Sequence, residues 1–307
     1  MVTREYVPPF APPLLDRSRP AVPPPLGGEG HWAGAPSACV VDGVTYLAYR
    51  LRRPLGEGRG HDVVIAASHD GERFEPVVSI GKDRLDAESL ERPALVRTDE
   101  GRWRLYLSCA THRTKHWRIE TLEAATLEGL ADAEPSVVLP GSPSVGVKDP
   151  VILREGGKWH LWASCHPLAD PAEADRMVTD YATSPDGLDW TWHGTALGGR
   201  PGHWDARGVR VAAVVPHRGH VFAYYDGRAT AAENYEERTG LAVGTGFGVL
   251  AALGTSPVAE SPHRGRGLRY LCAVPVPGRG WRLYYEAARA DGAHDIRTEF
   301  HPSEEVA

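Results

Sequence analysis

The chain has 307 residues, 42% apolar and 24% charged, with 34 basic side chains against 40 acidic ones for a net charge of −6. That length and apolar share support a folded core and exclude a disordered or collagen-like chain. The acidic balance, with a pI near 6.2 and no Lys/Arg block, excludes a duplex nucleic-acid binder, which needs a basic face to displace phosphate counterions.

The N-terminus, MVTREYVPPFAPPLL, lacks the apolar stretch of a secretory signal. The longest uncharged run, Leu241 to Ala259, is broken by Gly244, Gly246, Gly248 and Gly254, and reads as strand and turn rather than a membrane span. The expectation is a cytoplasmic protein with neither a membrane nor a nucleic-acid partner. Residues 1–30 carry eight prolines and no periodic pattern, which predicts an extended arm against a body spanning 31–307.

From His31 the chain repeats. Three copies are clear: ERPALVRTDEGRWRLYLSC from Glu91, KDPVILREGGKWHLWASC from Lys148 and LRYLCAVPVPGRGWRLYYE from Leu268. Weaker copies begin at Gly34 and Ala206. The residue after the turn is Thr45, Trp103, Trp159, Val221 or Trp281, at spacings of 58, 56, 62 and 60. Each copy joins an apolar run to a second run that alternates with period two; in one, Trp103, Leu105 and Leu107 face one way and Arg104, Tyr106 and Ser108 the other. A third strand ends in a recurring Asp-Gly turn, AASHDGERF from Ala66 and ATSPDGLDW from Ala182. Helical signal is confined to Glu123–Asp132. Such a unit cannot bury both faces alone and must stack on its neighbours. The reading is all-β, a five-bladed β-propeller, with blades near 31–80, 88–140, 145–197, 203–254 and 262–300. Trp103, Trp159 and Trp281 are expected in the core, and Cys39, Cys109, Cys165 and Cys272, with no CxxC pair, as buried free thiols.

Radial repetition brings equivalent positions to one central channel. One column comprises His31, Trp32, Gly34, Ala35, Glu91, Arg92, Lys148, Asp149, Asp205, Arg207, His263 and Arg269. A second, closing each second strand, comprises Arg50, Ser108, Ser164, Asp226 and Glu286. The polar run from Tyr224 to Gly240 is expected to rim the channel.

The "DP" of VKDPVILREGGKWHLWAS, the GxWxLY second strand and the YATSPDGLDW turn resemble the five-bladed propellers of the glycoside hydrolase family 43 and family 32 clan. The resemblance implies a sugar-directed enzyme that divides acid and base work between carboxyl groups across the scissile bond. It assigns Asp149 as the carboxylate tuning that pair. The first-blade carboxylate falls on Ala35 and the general acid on Arg207, so two of the three carboxylates are not carried over. Glu91, Asp205, Asp226 and Glu286 are the replacement candidates, Glu91 and Asp205 foremost because they border inner strands on either side of Asp149. Trp32, Arg92, Lys148, His166, Trp204, Arg207, Asp226 and Glu286 are the candidate substrate-binding residues, and Lys148 with the arginines suits an acidic sugar. Three readings stay open: a glycoside hydrolase-like enzyme acting on a small sugar-derived substrate, a non-hydrolytic lyase, isomerase or cyclase, and a carbohydrate-binding propeller without turnover. No cofactor motif or protein metal site is present; some members of the clan hold a channel cation, which would fall beside His166.

Overall fold

The computed structural model describes residues 6–263 and 265–303. Twenty strands account for nearly all its regular structure: β1 (Arg19–Val22), β2 (Trp32–Val41), β3 (Val44–Arg52), β4 (Gly60–Ser68), β5 (Glu75–Gly81), β6 (Leu90–Arg97), β7 (Trp103–Ala110), β8 (Trp117–Ala124), β9 (Ser136–Leu139), β10 (Val145–Glu155), β11 (Lys158–Pro167), β12 (Val178–Ser184), β13 (Thr191–Leu197), β14 (Gly208–His217), β15 (His220–Arg228), β16 (Arg238–Gly246), β17 (Val249–Leu253), β18 (Leu268–Val276), β19 (Gly280–Ala288) and β20 (His294–Pro302). Of the expected helical segment Glu123–Asp132, only Glu123 and Ala124 fall in strand, at the end of β8, and the rest is bend and turn around a single 3-10 turn at Glu128–Ala131. Among the described residues no helix is long and apolar enough to cross a membrane.

The strands form antiparallel meanders, β2 to β5, β6 to β9, β10 to β13 and β14 to β17, with β18 to β20 as the last. That last group gains a fourth strand from the proline-rich N-terminal segment, where β1 runs antiparallel to β20 with Arg19 opposite Thr298 and Val22 opposite Ile296. A single parallel bridge, Trp32 to His294, links β20 to β2. Phe10 anchors the segment further: its ring stacks on Tyr224 at 5.0 Å and its carbonyl accepts the Tyr224 hydroxyl at 2.9 Å.

Both faces of these sheets are covered. One apolar cluster joins the first and second sheets through Ile65, Ile80, Leu95 and Leu105. Others join the second to the third through Ile119, Tyr106 and Leu161, the third to the fourth through Trp162, Val209 and Tyr225, and the fourth to the fifth through Phe222, Leu241, Leu271 and Leu283. A last one joins the fifth to the first through Leu47, Tyr49, Tyr284 and Ile296. All eight side chains of β7 are therefore buried, despite their alternating polarity. Trp103 and Trp159 are in the core, whereas Trp281 is only partly covered, packing on Phe10 at 5.4 Å. The thiols also divide, with Cys109 and Cys165 buried and Cys39 and Cys272 half-buried.

The Asp-Gly turns carry one more tie. Ser68 Oγ accepts from Gly71 N and Ser184 Oγ from Gly187 N. The hydroxyls of Tyr284 and Tyr106, each from the preceding sheet, donate to the carbonyls of Gly71 and Gly187 at 2.8 and 2.7 Å. The left-handed backbone that this turn requires at Gly71, φ 71°, is open to glycine at little cost.

Candidate functional site

Every first strand of a sheet bulges near its start. The ladder skips between Gly34 and Ser37, Leu90 and Pro93, Lys148 and Val151, Val211 and Ala213, and Arg269 and Cys272. At three of these bulges a non-glycine residue is left-handed: Ala35 at φ 53°, and Asp149 and Tyr270 at φ 56°. Such backbone costs energy and persists where the surroundings enforce it.

The enforcement comes from the sheet before. Glu286 Oε2 accepts from Ala35 N at 3.0 Å, Ser108 Oγ from Asp149 N at 2.8 Å, Thr179 Oγ1 from Val211 N at 2.9 Å, and the Asp226 carboxylate from Tyr270 N at 3.0 Å. Between the first two sheets the joint is an ion pair of Arg50 with Glu91. Asp226 and Glu286, expected to bind substrate, are thus joint residues that do not reach the cavity wall. Gly34 makes room for this, since a Cβ there would lie 1.8 Å from Glu286 Oε2.

Beside the bulges is a cavity of about 300 Å3. Seven cationic side chains line it, Arg50, Arg59, Lys115, Lys148, Arg210, Arg228 and Arg269, against three carboxylates, Glu91, Asp175 and Glu237. Each of those carboxylates is already engaged. Glu91 pairs with Arg50. Glu237 bridges Arg228 and Arg269 at 2.5 and 2.6 Å, and Asp175 takes Arg207 and Arg228 at 2.6 and 3.3 Å. Burial would raise the pKa of Glu91, but Arg50 and Lys148 hold it below the ordinary carboxylate range. Glu237 is lowered in the same way by Arg269 and Arg228, against the effect of its burial. Lys148 Nζ lies 3.5 Å from Asp149 Oδ2 and 4.7 Å from the Trp117 ring centre.

Asp149 is fully buried beneath this wall, its Oδ2 3.1 Å from Arg210 Nη1 and its Oδ1 without a partner. Burial would raise its pKa, but Lys148 and Arg210 hold it at about 2. Tyr270, which lines the cavity, accepts from Arg210 Nη1 at 2.9 Å through its phenol oxygen, because a guanidinium can only donate. His166 also lines the cavity. Its Nδ1 lies 2.9 Å from the Ala174 carbonyl, which can only accept, so Nδ1 carries the proton and Nε2 presents a lone pair. Nε2 has no partner, and burial together with Lys148 lowers the pKa of the ring to about 3, keeping it neutral.

Of the sequence-derived candidates, Glu91, Lys148 and His166 line the cavity. Asp205 does not: it is buried against Arg200, 2.8 Å from Nη2, and accepts the Tyr225 hydroxyl at 2.7 Å. Trp204 stacks on Tyr225, and Arg207 pairs with Asp175 and Glu173 rather than opening a first strand. The cause is register. The fourth copy's channel residue, opposite Asp226 as Arg269 is opposite Glu286, is Arg210, three places after Arg207. Trp32 is sandwiched between His294 at 4.2 Å and the Arg52 guanidinium at 4.0 Å, leaving no face for a sugar. Arg92 lies on the far side of the bulge layer. Sequence reasoning missed Arg210 as a wall residue. The polar run Tyr224–Gly240, expected to rim the channel, supplies Arg228, Asn234, Tyr235 and Glu237 to the wall.

The cation implied beside His166 does not fit these residues. Nε2 is an open ligand atom, but among the described residues no three His, Cys, Asp or Glu side chains converge to hold a metal, and Lys148 and Arg228 add positive charge at the same wall.

No protein-family model and no curated protein matches this chain. Solved structures do. It is similar to a thermostable family-43 glycoside hydrolase at 14% identity, with 89% of each chain covered and a TM-score of 0.66. It is similar to the GH43_1 enzyme from Xanthomonas citri complexed with xylotriose at 16% identity, with 92% of this chain and 89% of that one covered and a TM-score of 0.66. It is also similar to the β-1,2-mannobiose phosphorylase from Listeria innocua, in complex with β-1,2-mannobiose, at 14% identity, with 97% of each chain covered and a TM-score of 0.66. The likeness establishes the fold, a β-propeller of the kind seen in these glycoside hydrolases and phosphorylases.

Proposed function

We propose that the chain is a five-bladed propeller enzyme acting on a small sugar-derived anion, bearing a carboxylate or a phosphate, in the cavity at the starts of its first strands. The observation that carries this reading is the wall itself, which seven cations line. Although Glu91, Asp175 and Glu237 on the wall and Asp149, Asp226 and Glu286 behind it answer Arg50, Arg210, Arg228 and Arg269, Lys115 and Lys148 keep donors open. An anion there meets the open donors of Lys148 and a field that low dielectric strengthens. The packing of each sheet on the next, and of the fifth on the first, supports the blade count.

The same observation argues against a pair of carboxyl groups cleaving a neutral glycoside. A general acid needs a pKa near the working pH, whereas Glu91, Asp149 and Glu237 are all held low. The group open for proton movement is the Nε2 lone pair of His166, whose low pKa a bound anion would raise by offsetting the surrounding cations. It suits proton abstraction from an anionic substrate, as in a lyase or isomerase.

A second reading follows from the phosphorylase among the similar structures. Inorganic phosphate would itself be the anion and the nucleophile, which removes the need for a carboxylate where Ala35 stands. Calorimetric titration with glucuronate, glucose 6-phosphate, inorganic phosphate and glucose separates these cases. The anions are expected to bind and glucose not; equal binding of glucose overturns the proposal. Turnover of uronides without phosphate supports the first reading. Cleavage of disaccharides only with phosphate supports the second.

A further inference from the structure

The first strands line a second cavity beyond their bulges, about 340 Å3 in volume. All five contribute: residues 37–40 of β2, 92 and 94–96 of β6, 150–153 of β10, 212–214 of β14 and 272–275 of β18. Since the same strands begin at the basic cavity, the two lie at opposite ends of one channel, with the layer of Arg92, Asp149 and Tyr270 between them.

The wall of this second cavity is apolar, built from residues such as Val40, Leu95, Ile152, Leu153, Val214 and Val274. Arg92 is its single charged residue among the described residues. Its side chain is only 3% exposed. Nη2 donates to the carbonyls of Ala212 and Leu271 at 2.6 and 3.5 Å, while Nε and Nη1 have no partner. Arg50, Arg210, Arg228 and Arg269 are each paired with carboxylates, whereas among the described residues Arg92 donates only to carbonyls. A buried cation with open donors at the base of an apolar cavity is complementary to a small amphipathic anion.

We propose that this cavity binds a small apolar carboxylate, its hydrocarbon body against the valines and leucines and its carboxylate on the open guanidinium donors of Arg92. The hydrocarbon body and the charge are both required. A bare inorganic anion would leave the apolar wall wet, and a neutral alkane derivative would leave Arg92 unanswered. The site is separate from the basic cavity and does not depend on what that cavity does.

Calorimetric titration of the full chain with hexanoate and hexanamide tests this. Hexanoate is expected to bind one to one, at least tenfold more tightly than hexanamide. Glucuronate and phosphate, which belong in the basic cavity, are expected not to displace it. Arg92→Met is expected to abolish the preference for hexanoate and Arg92→Lys to keep part of it, with thermal unfolding reporting whether each variant folds. Equal binding of hexanoate and hexanamide by the unmodified chain, displacement of hexanoate by phosphate, or no binding of hexanoate overturns the proposal, and none of these readings requires a variant to fold.

Discussion

Arg210 Nη1 stands 3.1 Å from Asp149 Oδ2, and the same guanidinium holds Asp226 through Nε and Nη2. The aspartate that the family resemblance singles out is therefore an ion-pair partner beneath the cavity. Its folded pKa of about 2 lies below its ordinary value of 3.8, so the stability it contributes is present above the ordinary value and is lost as pH falls toward 2. Asp149→Asn is expected to cost about 2 kcal/mol at pH 7, because Arg210 keeps Asp226 as a partner. Urea unfolding at pH 7 and at pH 2.5 checks this, and the difference between variant and parent is expected to shrink at the lower pH.

His166 gives the opposite chemical case with the same pH direction. Its folded pKa of about 3 lies below the ordinary 6.5, so between those values the unfolded chain binds the extra proton and stability falls as pH is lowered. His166→Gln is expected to make the stability profile shallower between pH 6.5 and 4, by up to one proton, or about 1.4 kcal/mol per pH unit. Denaturant unfolding across that range measures the slope.

Lys148 is a lightly committed wall cation, its Nζ sharing the 3.5 Å approach of Asp149 and the face of Trp117. Lys148→Ala is expected to weaken glucuronate or phosphate binding by about 10- to 100-fold, the worth of one charged hydrogen bond. Binding by the unmodified protein is expected to weaken as salt is raised. Titration calorimetry at two ionic strengths reads both effects.

Phe10 ties the N-terminal segment to the fourth and fifth sheets, stacking on Tyr224 and packing on Trp281. Phe10→Ala is expected to cost about 3 kcal/mol, the ordinary loss for a buried aromatic ring. Thermal unfolding checks it. A loss below 1 kcal/mol would mean that β1 alone carries the attachment.

The repeat made the fold legible, because tryptophans at matching turn positions and period-two alternation mark the same pair of strands again and again. The strand of Arg19–Val22 was not legible, since four residues including a proline carry no periodic signal and gain their partner from β20. The channel columns were legible as charge. Which of their members face the cavity was not. A bulge interrupts the alternation of faces, so Lys148 and Asp149 are neighbours in sequence yet one lines the cavity and the other lies beneath it. In the fourth copy the segment Trp204–Arg207 mimics a strand start with its own charges, which moved the reading from Arg210 to Arg207.

The joints between sheets carry a consequence for how this protein comes apart. Glu286 of the fifth sheet holds the backbone of Ala35 in the first, and Asp226 of the fourth holds Tyr270 in the fifth. The left-handed conformations at Ala35 and Tyr270 are thus paid for by neighbours. Loss of the fifth sheet, for example, releases the strained backbone of Ala35 in the first and takes the Tyr270 partner from Asp226 in the fourth. Opening at one of these joints is therefore expected to spread to its neighbours, so that thermal unfolding follows one transition rather than sheet by sheet.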